Sequence, residues 1–314
     1  MKENTLSKTK TGLILTACLI GMLVIDYFAK VAFDFFVLGI TIIAANEFRS
    51  LIYKAGYPSF VYSAFVMPIL AFLVFTVGNL LSLGALWILL LEVLLIALTY
   101  AVFFLITFIS RKTKSDDFRQ ATHMTVPGFA LFKANNTISI MFYPTFLTLI
   151  MYFINHIEEL KLAISDKVSV IHYGLFGLVM LFAISCVTDV FAMTFGKIIG
   201  GKKIFPKISP NKTLAGALFG LLGGVIGAVL AYYGFVLFAG GLYNSISIWL
   251  VLLVGLLGSI VAQVGDLFES YIKRRAGVKD AGDFLRSHGG ILDRFDSIIL
   301  VTPLIFVFML IFVA

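Results

Sequence analysis

Residues 83–109 read LGALWILLLEVLLIALTYAVFFLITFI, with Glu92 as the one charged side chain. A helix rises 1.5 Å per residue, so this stretch outspans the roughly 30 Å hydrocarbon core of a bilayer. The stretch predicts a transmembrane helix. The same reading applies at 12–29, 31–45, 60–77, 134–154, 168–188, 214–239, 247–264 and 298–313. The expected fold class is therefore an all-α polytopic membrane protein of about nine transmembrane helices. The 31–45 segment is short, and Lys30 and Asp34 crowd its start.

Composition agrees. The 314 residues are 60% hydrophobic and 13% charged, with a mean hydropathy of +1.03. Soluble domains average roughly 45–50% apolar and about 25% charged. A soluble globule could not hide so much apolar surface, and disordered chains are polar and charge-rich. Cys18 and Cys186 both lie in apolar runs, which leaves no disulfide framework and no thiolate metal cluster. The net charge of +7 points to loops facing anionic lipid headgroups and to an anionic substrate, not to nucleic acid.

The basic residues orient the spans. Place the N-terminal tail, with Lys2, Lys8 and Lys10, in the cytoplasm. Every lysine and arginine except Lys30, Lys161 and Lys167 then falls in the tail or in a loop on the same side. This partition predicts a cytoplasmic N-terminus and an outside C-terminus. The first segment lacks a clear small-x-small cleavage site, so a retained helix is expected there and not a removed signal. Glycines in LLGGVIG (221–227) and LVGLLGS (253–259) suit close helix packing.

The densest polar text is DLFESYIKRRAGVKDAGDFLRSHGGILDRFD at 266–296. Lysines and arginines alone would satisfy the orientation rule. The acids Asp266, Glu269, Asp280, Asp283, Asp293 and Asp296 need another reason. Asp293 and Asp296 share a helix face, and Asp266 ends the preceding span. If the two spans pack together, Asp266 and Asp293 meet. Paired carboxylates hold hard divalent cations, whereas His288 alone in this segment makes a histidine-based zinc site a poor fit. Lys273, Arg274, Lys279 and Arg294 suit phosphate oxygens. Gly289-Gly290 would let backbone N–H groups approach an anion. A second polar stretch begins at Asp189, an acid at the end of an apolar run. It continues through SPNKT (209–213), where Ser209 and Thr213 offer caps for the next span and leave N–H groups for an anion. The alternative there is capping alone with orienting lysines.

SYIKR at 270–274, KDAG at 279–282 and HGGILDRFD at 288–296 together closely resemble the signature of the phosphatidate cytidylyltransferases, or CDP-diacylglycerol synthases. GDLFES (265–270), Asp189 with Ala192 and Gly196, and Ser209–Gly216 resemble the family's other motifs. The specific resemblance covers roughly 185–297. It implies a C-terminal catalytic region over 166–314 and N-terminal transmembrane helices of open role over 1–165. It also implies transfer of CMP from CTP to phosphatidate, giving CDP-diacylglycerol and pyrophosphate, with Mg²⁺ as cofactor. Asp266, Asp293 and Asp296 would be metal ligands. Asp266, Asp293, Lys273 and Arg294 would be catalytic. Asp189, Ser209, Lys212, Thr213, Arg274, Lys279, Asp280, His288, Gly289 and Gly290 would bind substrate. Arg286-Ser287, Ala215 and Met193 depart from the family pattern without touching the metal ligands. The partners expected are CTP, phosphatidate and membrane lipid, at the cytoplasmic face of the cell membrane; the oligomeric state stays open, a homodimer included. Two other readings stand beside this one. One is a CTP-dependent lipid kinase. The other is a transporter using Asp26, Glu92 and Asp189.

Overall fold

The computed structural model describes residues 17–110, 116–160, 172–239, 246–285 and 289–313. These residues are all-α, as the apolar runs predict; one isolated antiparallel bridge pairs Lys203 with Thr213. The helices are α1 (Ala17–Phe28), α2 (Lys30–Lys54), α3 (Ser63–Leu80), α4 (Ala85–Ile109), the short α5 (Asp117–Ala121), α6 (Val126–Ile140), α7 (Leu147–Asn155), α8 (Tyr173–Ile199), α9 (Leu214–Ala239), α10 (Ile248–Arg275) and α11 (Leu292–Val313). A π-helical turn, Met141–Phe146, joins α6 to α7 into one span. Among the described residues, eight spans are long and apolar enough to cross a membrane. The ninth expected span, 12–29, starts outside the described residues, and its described part is α1.

The helices overrun the apolar segments at their polar ends. α2 reaches Lys54, α8 reaches Ile199, α10 reaches Arg275 and α11 starts at Leu292. Hydropathy marks the bilayer core, whereas backbone hydrogen bonding carries a helix on into the interface. Asp189, Asp266, Lys273, Arg274, Asp293 and Asp296 therefore sit on rigid helix and not in loops. α4 shows how the surface is divided. Ala85, Ile88 and Glu92 point inward, while Leu86, Trp87, Leu94 and Leu98 are exposed, as a lipid-facing helix requires.

Glycines set the distances in the C-terminal bundle. A Cβ on Gly227 would lie 2.5 Å from the Ala183 carbonyl oxygen, so α9 rests directly on the backbone of α8. A Cβ on Gly265 would lie 2.7 Å from the Asp296 carbonyl oxygen. That close approach of α10 to α11 puts Asp266 beside Asp296. Tyr143, in the π turn, packs edge-on against Phe48 of α2 and Phe268 of α10, each with ring centroids 5.1 Å apart. The N-terminal half thus seats against the C-terminal bundle.

Helix ends sort by charge. Arg275 stands over the Tyr57 ring, Lys133 over Phe60, and Arg274 donates to the Ile208 carbonyl. These contacts bring residues 55–62, 200–213 and 276–285 to one end, the arrangement the basic residues predict. At the other end, Lys30 pairs with Glu158 and Glu159, and Asn155 and His156 bind Asp34. His156 follows the end of its span and touches Asp34 at 2.7 Å and Glu159 at 2.6 Å. Burial opposes its charge, but the two carboxylates outweigh burial and push its pKa up to about 9. Its ordinary value is about 6.5. A raised folded-state pKa gives stability that is complete below about pH 6.5 and is lost as pH climbs through about 9. The unfolding temperature in detergent is expected to fall across that window. His156→Gln is expected to flatten the fall, which a pH series of thermal melts checks.

Candidate active site

Four helices deliver the polar residues picked from the sequence to one end of the bundle. Thr213 accepts a hydrogen bond from the Gly216 N–H at 3.1 Å, so it caps α9 as its residue type predicts. The preceding residue, Lys212, reaches Asp266 of α10 at 2.9 Å. Arg274, two turns further along α10, donates to Ile208 at 3.2 Å. The Ser209–Thr213 run is thereby strapped across α10 at both ends of the segment that carries Asp266 and Lys273.

Asp266 pairs with Lys212 and not with Asp293. Asp293 lies in the first turn of α11 and accepts from three donors. Its Oδ1 accepts from Lys273 at 2.6 Å, and its Oδ2 from the backbone N–H groups of Ala281 at 2.8 Å and Gly290 at 2.7 Å. Lys273 also meets Glu269, one helical turn back, at 2.6 Å. Asp296 is buried, and its Oδ1 accepts from the Ser297 N–H at 2.6 Å. The Ser297 hydroxyl lies 3.4 Å from Asp189 of α8. Asp189 feels repulsion from Asp296 and Asp266, with Lys212 opposing. The structure thus gathers Asp189, Lys212, Thr213, Asp266, Lys273, Asp293 and Asp296. Lys279, Asp280 and Arg294 lie exposed around them. His288 lies outside the described residues, as do Arg286 and Ser287.

The glycine pair has a specific geometry. Gly289 has φ +80°, which favours glycine, and a Cβ there would lie 2.6 Å from Asp293 Oδ2. A Cβ on Gly290 would collide with the Glu47 carboxylate. The anions this backbone approaches here are the protein's own Asp293 and Glu47.

Sequence reasoning missed Glu47 and left Glu269, one of the acids of 266–296, without a role. Glu269 is 1% exposed, and the Lys273 ammonium lies 2.6 Å from its carboxylate. Glu47 accepts from Ile291 and Leu292. The signal for Glu47 was an acid in the last turns of an apolar helix, hidden because the hydropathy edge fell at residue 45.

The donor chemistry suits a hard divalent cation. Asp189, Asp266 and Asp296 come from three helices and repel one another, and Glu269 adds a buried carboxylate. No three such groups already converge to ligand distance among the described residues. Asp26, Glu92 and Asp189, the acids of the transporter reading, occupy separate helices, and Asp26 lies beside Lys30, Asp34 and His156 at the opposite end from Asp189.

The chain is also similar to known proteins. Over 132 residues the chain is 45% identical to the phosphatidate cytidylyltransferase of Staphylococcus haemolyticus, covering 42% of this chain and 48% of that protein. It is 44% identical over 130 residues to that of Rickettsia bellii, covering 41% and 56%. It is 41% identical over 140 residues to that of Brucella abortus, covering 45% and 49%. The matched stretch spans about half the length of these curated relatives. The profile of the cytidylyltransferase family, by contrast, matches residues 7–312. With almost its entire length matched, the chain belongs to the cytidylyltransferase family.

Proposed function

We propose that the chain transfers CMP from CTP to phosphatidate, forming CDP-diacylglycerol and pyrophosphate in the service of phospholipid synthesis. The observation that carries this reading is the strapping of the Ser209–Thr213 run onto α10 by Lys212–Asp266 and Arg274–Ile208. It brings basic and hydroxyl side chains from two sequence regions onto the carboxylate cluster, which supports a site for phosphates.

A phosphate oxygen of phosphatidate attacks the α-phosphorus of CTP. The bond from that phosphorus to the bridging oxygen breaks, and pyrophosphate leaves with the oxygen. The attacking oxygen is already anionic near neutral pH, so the task is to bring two polyanions together and in line. Lys212 and Lys273 are held by carboxylates and exchange those partners for phosphate oxygens when substrate arrives. Arg274, Lys279 and Arg294 neutralise the remaining charge. Thr213 keeps the α9 N-terminus turned toward the same space. Asp189, Asp266, Asp293 and Asp296 would hold Mg²⁺, which when bound neutralises charge on the phosphates and on the leaving pyrophosphate. The basic residues of the surrounding connections support a cytoplasmic site at the cell membrane, where aqueous CTP and a lipid headgroup both reach it.

The test incubates the purified chain with radiolabelled CTP, phosphatidate and Mg²⁺. Label in the lipid phase with matching pyrophosphate, both abolished by EDTA, is expected. Release of CDP in place of pyrophosphate would make it a lipid kinase. No labelled lipid from folded protein would overturn the reading.

A further inference from the structure

The N-terminal half reaches the candidate site through one buried carboxylate. Glu47 lies in the last two turns of α2 and is 8% exposed. Its Oε1 accepts from the Ile291 N–H at 3.2 Å and its Oε2 from the Leu292 N–H at 2.8 Å. These N–H groups open α11, across more than 240 residues of sequence. No lysine or arginine pairs with Glu47 among the described residues, and Asp293 and Asp283 repel it. A buried carboxylate facing like charges is costly unless its hydrogen bonds hold it. The N-terminal dipole of α11 adds to those bonds.

Two further observations converge on the same carboxylate. Gly282 and Gly290 both run so close that a Cβ on either would collide with it. The loop is wrapped around Glu47 from two sides. Behind the loop lies a cavity of about 530 Å³ between α2, Phe65 and residues 280–284. Glu47 and Asp293 also share one short stretch of backbone. The N–H groups of Ala281 and Gly290 serve Asp293, and those of Ile291 and Leu292 serve Glu47.

We propose that Glu47 is a positioning residue: it anchors Gly282, residues 290–292 and the start of α11, and so fixes Asp293 relative to Lys273 and α10. For the effect on turnover this rests on the cytidylyl-transfer reading. The N-terminal helices then complete the site, and are more than a membrane anchor for it.

Glu47→Gln keeps the shape, removes the charge and offers one acceptor oxygen in place of two. Supporting groups of this kind change metal affinity or activity by about 10–100-fold. Turnover is expected to fall by about that factor, with the KM for phosphatidate within about threefold of wild type, at a temperature where the variant remains folded. In protein without CTP or metal, amide exchange at 291–292 is expected to speed up by about 10-fold or more. Glu92→Gln removes another buried acid, on α4 and away from the loop, and should leave both readouts unchanged. Faster exchange together with slower turnover supports the proposal, and any other combination overturns it. If wild-type protein makes no CDP-diacylglycerol, the functional reading fails by itself, and exchange alone decides: faster supports Glu47 as the anchor, unchanged overturns it.

Discussion

Asp266→Asn is expected to slow CMP transfer by at least about 100-fold while the protein still inserts and folds. The argument rests on what Asp266 does in the folded chain. It meets Lys212 at 2.9 Å, and the two side chains are 37% and 25% exposed. A pair that open to solvent contributes about 0–1 kcal/mol to stability. Asparagine has the same shape, and the close approach at Gly265 is untouched. Stability should therefore barely change. Function should change, because Asp266 is the acid that repels Asp189 and Asp296 across three helices. In the proposed reaction a cation occupies that repelling set. The variant should need more Mg²⁺ for half-maximal activity than wild type, and raising Mg²⁺ should restore part of the rate. Near-full turnover at wild-type Mg²⁺ would remove Asp266 from the metal site.

Much of this was legible in the sequence, and the gaps have physical causes. The apolar text of 83–109 fixes α4 because a lipid-facing helix must be apolar for its whole length. The carboxylates of 266–296 stood out because nothing about orienting a membrane protein calls for them. The expected meeting of Asp266 with Asp293 does not form. Which acid faces which base depends on helix rotation. Gly265 sets that rotation by admitting the α11 backbone at Asp296, which is three residues from Asp293. The result is Lys212 on Asp266 and Lys273 on Asp293. Glu47 and the Asp34–His156 pair are bonds across more than 100 residues. No local spacing encodes such bonds, and both acids lie near a span edge where hydropathy reads only a boundary.

Lys273→Met should produce the larger loss of stability. The Lys273 ammonium touches Glu269 and Asp293 at 2.6 Å each, and the three side chains are 12%, 1% and 8% exposed. Methionine preserves most of the stem and the packing on α10, but leaves two buried carboxylates without their cation. Breaking a buried pair by removing one partner costs about 3–5 kcal/mol, mostly the price of the uncompensated charge left behind. The unfolding temperature in detergent, measured without substrate or metal, should drop by several degrees, far more than for Asp266→Asn. Because the cost lies in unpaired charge and not in a lost contact, it should be reversible. Adding Glu269→Gln to Lys273→Met removes one of the stranded charges. The double variant should then be more stable than Lys273→Met alone, a coupling that independent sites would not show. Equal stability of the single and double variants would mean that Glu269 is already neutral beside Lys273. Wild-type stability of Lys273→Met would mean that the three side chains do not form this network in the membrane.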